Sequence, residues 1–133
     1  MKLKNIFLSL TLAVCSAFAM KHFWRGATLS EAEVAKRWGT SELNTNKFKT
    51  GDEKVRASMA YSILKNQKAL RGKFVVDLRN DFGRPDGFYF SDVFPAYMIQ
   101  RGQGDQDESW QLVFLPNKER KVEDIIVHKN CCD

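Results

Sequence analysis

The chain has 133 residues, 44% of them apolar and 28% charged, with a formal net charge of +5. That composition excludes a disordered, collagen-like or low-complexity polymer, and the length gives one domain with a core that needs no metal or staple. The basic residues from Lys36 to Lys73 are spread along the helical half among several acids instead of gathering in a block, which argues against a nucleic-acid footprint and for a solvated surface.

Residues 1–19 read as a secretory signal and stand outside the fold. Lys2 and Lys4 form a basic start, Ile6 to Val14 an apolar run too short to span a bilayer, and Ala17-Phe18-Ala19 a small-residue cleavage pattern. Leu12-Ala13-Val14-Cys15 approximates the box before a lipidated cysteine, so a lipid anchor at Cys15 is the alternative to soluble export, although Val14 replaces the usual small residue. Cleavage would take the 21 basic residues to 19 against 16 acids, a net charge of +3. The domain then occupies residues 20–133. Met20 to Leu29 reads as a linker-like lead whose Phe23 and Trp24 fold back on the core or grip a partner.

Ser30-Glu31-Ala32-Glu33 is a capping box, and a short helix over about 31–38 follows, with Val34 and Trp38 on its buried edge and Gly39 as its stop. Thr40 to Lys49 is polar and reads as a loop anchored by Leu43 and Phe48. Thr50-Gly51-Asp52-Glu53 opens a second, longer helix over about 52–69, with Val55, Met59 and Ile63 in one stripe and Lys54, Arg56, Lys65 and Lys68 on the wet side. Gly72 ends it. Val75, Leu78 and Phe82 give a third helical stripe over 73–82, although Val75-Val76 would also suit a strand. Gly83 and Pro85 then stop the helix, and Asp86-Gly87 turns the chain.

Beyond that corner the apolar residues alternate. Phe88 to Phe90, Ala96 to Gln100, Trp110 to Leu115 and Val122 to His128 read as four strands, the third with Trp110, Leu112 and Phe114 on one face. Arg101 to Ser109 is a polar loop, and Pro116 to Arg120 a tight connection. The expected fold is α+β, with N-terminal helices packed on one face of a three- to four-stranded antiparallel meander and acting as its lid.

Chemistry-bearing patterns are few. The two histidines, His22 and His128, belong to no catalytic motif; there is no Gly-x-Ser-x-Gly, phosphate loop or His-Glu-x-x-His. Asp105, Asp107 and Glu108 lack the spacing of a calcium loop. Neither catalytic residues, a cofactor nor a metal is expected. Cys131 and Cys132 are the only thiols left after cleavage. Their alternatives are a vicinal disulfide, free thiols and intermolecular links, with His128 nearby for a redox or metal role.

The helix-to-sheet corner resembles that of the BamE (SmpA/OmlA) outer-membrane lipoproteins and related small bacterial envelope domains. Phe82-Gly83-Arg84-Pro85-Asp86 stands where that family has a Leu-Gly-x-Pro-Asp-like corner. Trp110 to Phe114 and Lys121 to Val127 correspond to its final hairpin, whereas the long helix from 52 and the Cys131-Cys132 tail are departures. The resemblance implies a non-catalytic envelope protein, in the periplasm or on the periplasmic face of the outer membrane, binding another envelope protein as a monomer without a transmembrane span. Tyr89, Tyr97 and Trp110 are the partner-binding candidates if they lie on the sheet face opposite the helices; otherwise they are core. Two further readings stand beside this one: a secreted inhibitor or immunity-type protein that inserts the 101–109 loop into an enzyme, and a thiol-redox or metal-handling protein using Cys131, Cys132 and His128.

Overall fold

The computed structural model describes residues 27–102 and 108–130. The expected signal segment with Cys15, the aromatic lead with Phe23 and Trp24, His22, loop residues Asp105 and Asp107, and the Cys131-Cys132 pair all lie outside them.

Strand β1 is Thr28–Leu29, a pair of residues within what reads in sequence as a linker. Helix α1, Glu31–Trp38, begins with the expected capping box: the Ser30 hydroxyl accepts from the Glu33 N–H at 3.4 Å, and the Ser30 N–H donates to the Glu33 carboxylate at 2.7 Å. The expected loop that follows contains a further helix, α2, Thr45–Thr50, capped by the Asn44 side chain on the Lys47 N–H at 2.9 Å. Six residues with one apolar side chain carry no visible periodicity. Burial of Phe48 fixes this turn, an effect of tertiary packing.

The expected 52–69 helix is two helices, α3 Glu53–Lys65 and α4 Gln67–Leu70. Asn66 divides them by turning its side-chain amide back onto the Ser62 carbonyl at 2.9 Å, where it competes with the backbone ladder. The helix expected over 73–82 starts two residues later and stops at Gly83 as expected: α5 is Val75–Phe82, with Val75, Leu78 and Phe82 buried. Phe74 precedes this helix in extended conformation, bridged to Lys121.

The sheet order is β1-β4-β3-β2, all antiparallel, where β2 is Ala96–Gln100, β3 Ser109–Pro116 and β4 Val122–Asn130. Strands β2 to β4 form the expected meander, and β1 adds itself to the outside of β4. Phe88 to Phe90 is not one of its strands.

Strand alternation divides the core in two. Tyr97, Ile99, Trp110, Leu112, Phe114, Ile125 and Val127 face the helices and pack with Val34, Phe48, Met59, Ile63, Leu78 and Phe82. At the centre Phe48, Phe82, Tyr97 and Phe114 meet, mostly edge to face, with centroids 5.1 to 5.9 Å apart around the ring of four. Tyr97 completes this cluster by donating its hydroxyl to the Gly83 carbonyl at 2.8 Å. Gly83 holds φ +87°, open to it because it lacks Cβ.

The opposite face has a lid as well, which corrects the expectation that only helices cover the sheet. The segment Gly87 to Phe94 lies across it, and Tyr89 with the half-buried Phe94 packs on Ala96, Val113 and Ile126. This flap is held by Gln111 on β3, a fully buried side chain. Its carbonyl oxygen accepts from the Phe88 N–H at 3.1 Å, and its amide donates to the Phe88 carbonyl at 2.7 Å. One side chain thus takes the place of a neighbouring strand. Gly87 permits the approach, because a Cβ there would fall 2.5 Å from the Gln111 Oε1.

Candidate interaction surface

Of the three rings expected to bind a partner, none is at the surface. Tyr97 is fully buried and Trp110 nearly so, both on the helix side; Tyr89 belongs to the flap and is buried between it and the other sheet face. Alternation within each strand sets Tyr97 and Trp110 inward with their aliphatic neighbours, so the core reading holds for both. Trp110 packs edge-on to Trp38 at 6.3 Å, with the Arg37 guanidinium 5.0 Å above its ring. Its indole N–H donates to Glu108 at 3.1 Å, and Glu108 also accepts from Lys129 and Arg37. These three bonds, led by that from Lys129, hold the Glu108 carboxyl below its usual range.

Tyr89 meets the His128 ring edge-on at 4.8 Å, while the Gln111 amide lies 3.3 Å from His128 Nδ1. That amide donates, so Nδ1 is the unprotonated acceptor. Burial lowers the His128 pKa, which keeps the ring neutral. Among the described residues no three of His, Cys, Asp and Glu converge as metal ligands, and no helix is long and apolar enough to cross a membrane.

The rings at the surface are others. Phe88 and Phe90 on the flap are 58% and 66% exposed, and Phe74, Val76 and Val93 are 47%, 65% and 43% exposed. The last three border two adjoining depressions of about 390 and 230 Å³, which share Val75, Arg79 and Arg120 as walls. Phe74, Val76 and Glu119 complete the larger depression, and Asp92 and Val93 the smaller.

The frame of this groove is firm. Gly72 N–H donates to the Val122 carbonyl at 2.8 Å, Val122 N–H to the Lys73 carbonyl at 2.9 Å, and Val75 N–H to the Arg120 carbonyl at 2.9 Å, joining the start of α5 to the β3–β4 turn. Arg79 ties in the flap by donating to the Asp92 carbonyl at 2.7 Å. Arg120 holds φ +61°, and Phe90 holds +54°; these are the only positive values among described residues other than glycine. Left-handed backbone is costly for bulky side chains.

A second missed group seals the sheet edge. Asp86, legible only as a turn former, accepts from the Met98 N–H at 3.0 Å and pairs with Arg56 at 2.8 Å. Arg56, expected on a wet helix face, is largely buried beside Phe48 at 5.8 Å, and Arg101 joins Asp86 to Glu53. Gly87 N–H completes the seal on the Ala96 carbonyl at 2.9 Å. Acid and arginine in separate helix and turn segments give no local signal that they will meet.

The class defined by these features is an α+β fold whose sheet is covered on both faces and whose exposed large apolar groups, Val55 apart, sit on the flap and at the mouth of a groove. No family model, curated protein or solved structure matches the chain.

Proposed function

We propose that this chain is an exported, non-catalytic protein-binding module of the bacterial envelope, engaging its partner through the groove and flap. The observation that carries the reading is the set of exposed apolar residues, Phe74, Val76 and Val93, around a groove braced by backbone hydrogen bonds. Large apolar groups grouped at the surface of a well-packed domain mark interaction sites, and a rigid frame lowers the entropy lost on binding. The signal-like first nineteen residues and the BamE-like corner at Phe82 to Asp86 support export and an envelope role.

Photo-crosslinking from position 76 in envelope extract tests it. The expected result is a discrete adduct that disappears when Phe74→Ala and Val93→Asp are introduced into a variant with unchanged circular dichroism. Adducts indifferent to those changes, or none, would count against the reading.

One observation favours a second reading, the inhibitor. The base of the 101–109 loop is closed by Gly102 N–H on Ser109 Oγ at 2.8 Å and by the Gln100 amide on the Glu108 carbonyl at 3.1 Å. Anchored ends of this kind suit a loop presented to an enzyme cleft.

A further inference from the structure

Resting on the protein-binding reading, we propose that the groove takes an acidic segment of the partner chain, with apolar side chains seated against Phe74 and Val76 in the larger depression and against Val93 in the smaller, and a carboxylate held by Arg79 and Arg120, which wall both. The apolar wall asks for a side chain, and the charges ask for an acid. Arg120 is exposed, and its guanidinium has no acidic partner among the described residues; Arg79 donates only to a backbone carbonyl. The two acids at the groove alter this little. Glu119 is engaged at 3.3 Å by Lys121, whose ammonium lies 5.1 Å over the Phe74 ring, so this pair leaves the charge of the two arginines uncancelled. Asp92 borders only the smaller depression, which places the carboxylate position in the larger one, toward Phe74.

The backbone points the same way. A glycine or asparagine at position 120 would accept φ +61° with less strain, yet the turn carries an arginine whose local conformation works against it. A guanidinium matches a carboxylate through paired N–H donors. A bare phosphate would satisfy the arginines while leaving Phe74, Val76 and Val93 unmet.

Selection of random displayed peptides on the full chain tests the inference, with Val76→Asp closing the groove and Arg120→Gly removing the guanidinium while relaxing the turn. The expected consensus contains Asp or Glu beside an aromatic or branched aliphatic residue. A synthetic peptide of that sequence should bind about ten-fold more weakly to Arg120→Gly, as for loss of a charged hydrogen bond, and more weakly in high salt. Arg120→Gly should unfold no earlier than the parent chain, which separates lost binding from lost folding.

A neutral or basic consensus that still requires Val76 would overturn this inference and leave the protein-binding reading standing. An acidic consensus indifferent to Arg120→Gly would overturn it as well. Absence of any Val76-dependent peptide would overturn both readings. Binding of phosphatidylglycerol vesicles, lost in both variants, would replace the peptide with a lipid surface.

Discussion

Gln111 is the residue on which the second face depends. Its amide satisfies both the N–H and the carbonyl of Phe88 and has no route to solvent, so an aliphatic substitute of similar size leaves two half-buried backbone groups without partners. Gln111→Leu is expected to lower unfolding free energy by about 1–3 kcal/mol in urea titration, with the flap cleaved sooner by protease than the helices. An unchanged midpoint would show that water replaces the amide without cost. Nothing in the alternation of β3 distinguishes this position: a polar residue between Trp110 and Leu112 reads as the solvent side of a strand, because its partner backbone arrives from 23 residues earlier in the chain.

At the scale of elements, the sequence was most legible where signals are local. The capping box at Ser30, the Gly83 stop and the alternation in β3 each act within a few residues, and each element is found where its signal puts it. The misses have long-range causes: α2 is held by Phe48 in the core, β1 by pairing with His128 and Val127, and the flap by Gln111. The candidate surface was scarcely legible at all, since exposure of Phe74, Val76, Phe88 and Phe90 depends on which segment crosses which face. Aromatic residues on the strands, Tyr97 and Trp110, are buried by the sheet's packing, and the exposed rings of Phe74, Phe88 and Phe90 lie on connections.

The sealed edge of β2 belongs to this scale too. Asp86 fills the Met98 N–H and neutralises Arg56, whose side chain is only 13% exposed. Asp86→Ala is expected to cost about 1–3 kcal/mol through an unsatisfied amide and a stranded guanidinium, and also to leave β2 open to pairing with another chain. Light scattering at matched concentration checks the second effect. A variant as stable and as monodisperse as the parent would assign the edge's protection to Gly87 alone.

For the whole molecule, pH sets two limits. His128 has a folded pKa below its ordinary 6.5 because of burial, so the unfolded chain takes up the proton first, and stability present above about 6.5 is lost as pH falls. Protonation also removes the lone pair facing Gln111. Tyr97 is pushed above its ordinary 10.0 by burial, so the unfolded chain loses its proton first, and stability declines as pH rises beyond about 10. Urea midpoints are therefore expected to peak between these values. His128→Phe should flatten the fall on the acid side nearest 6.5, leaving a later decline as groups such as Glu108 protonate below 4.5. An acid limb unaltered by His128→Phe would assign the loss to carboxylates alone.

Gln111 clasps Phe88 by its peptide groups and leaves the phenyl ring out of the bond. The fastening is therefore blind to whatever side chain is displayed at that position. Display and attachment are decoupled, so position 88 can exchange one chemistry for another while the same clasp stays shut, and the flap becomes a part of the molecule open to retargeting without a new fold.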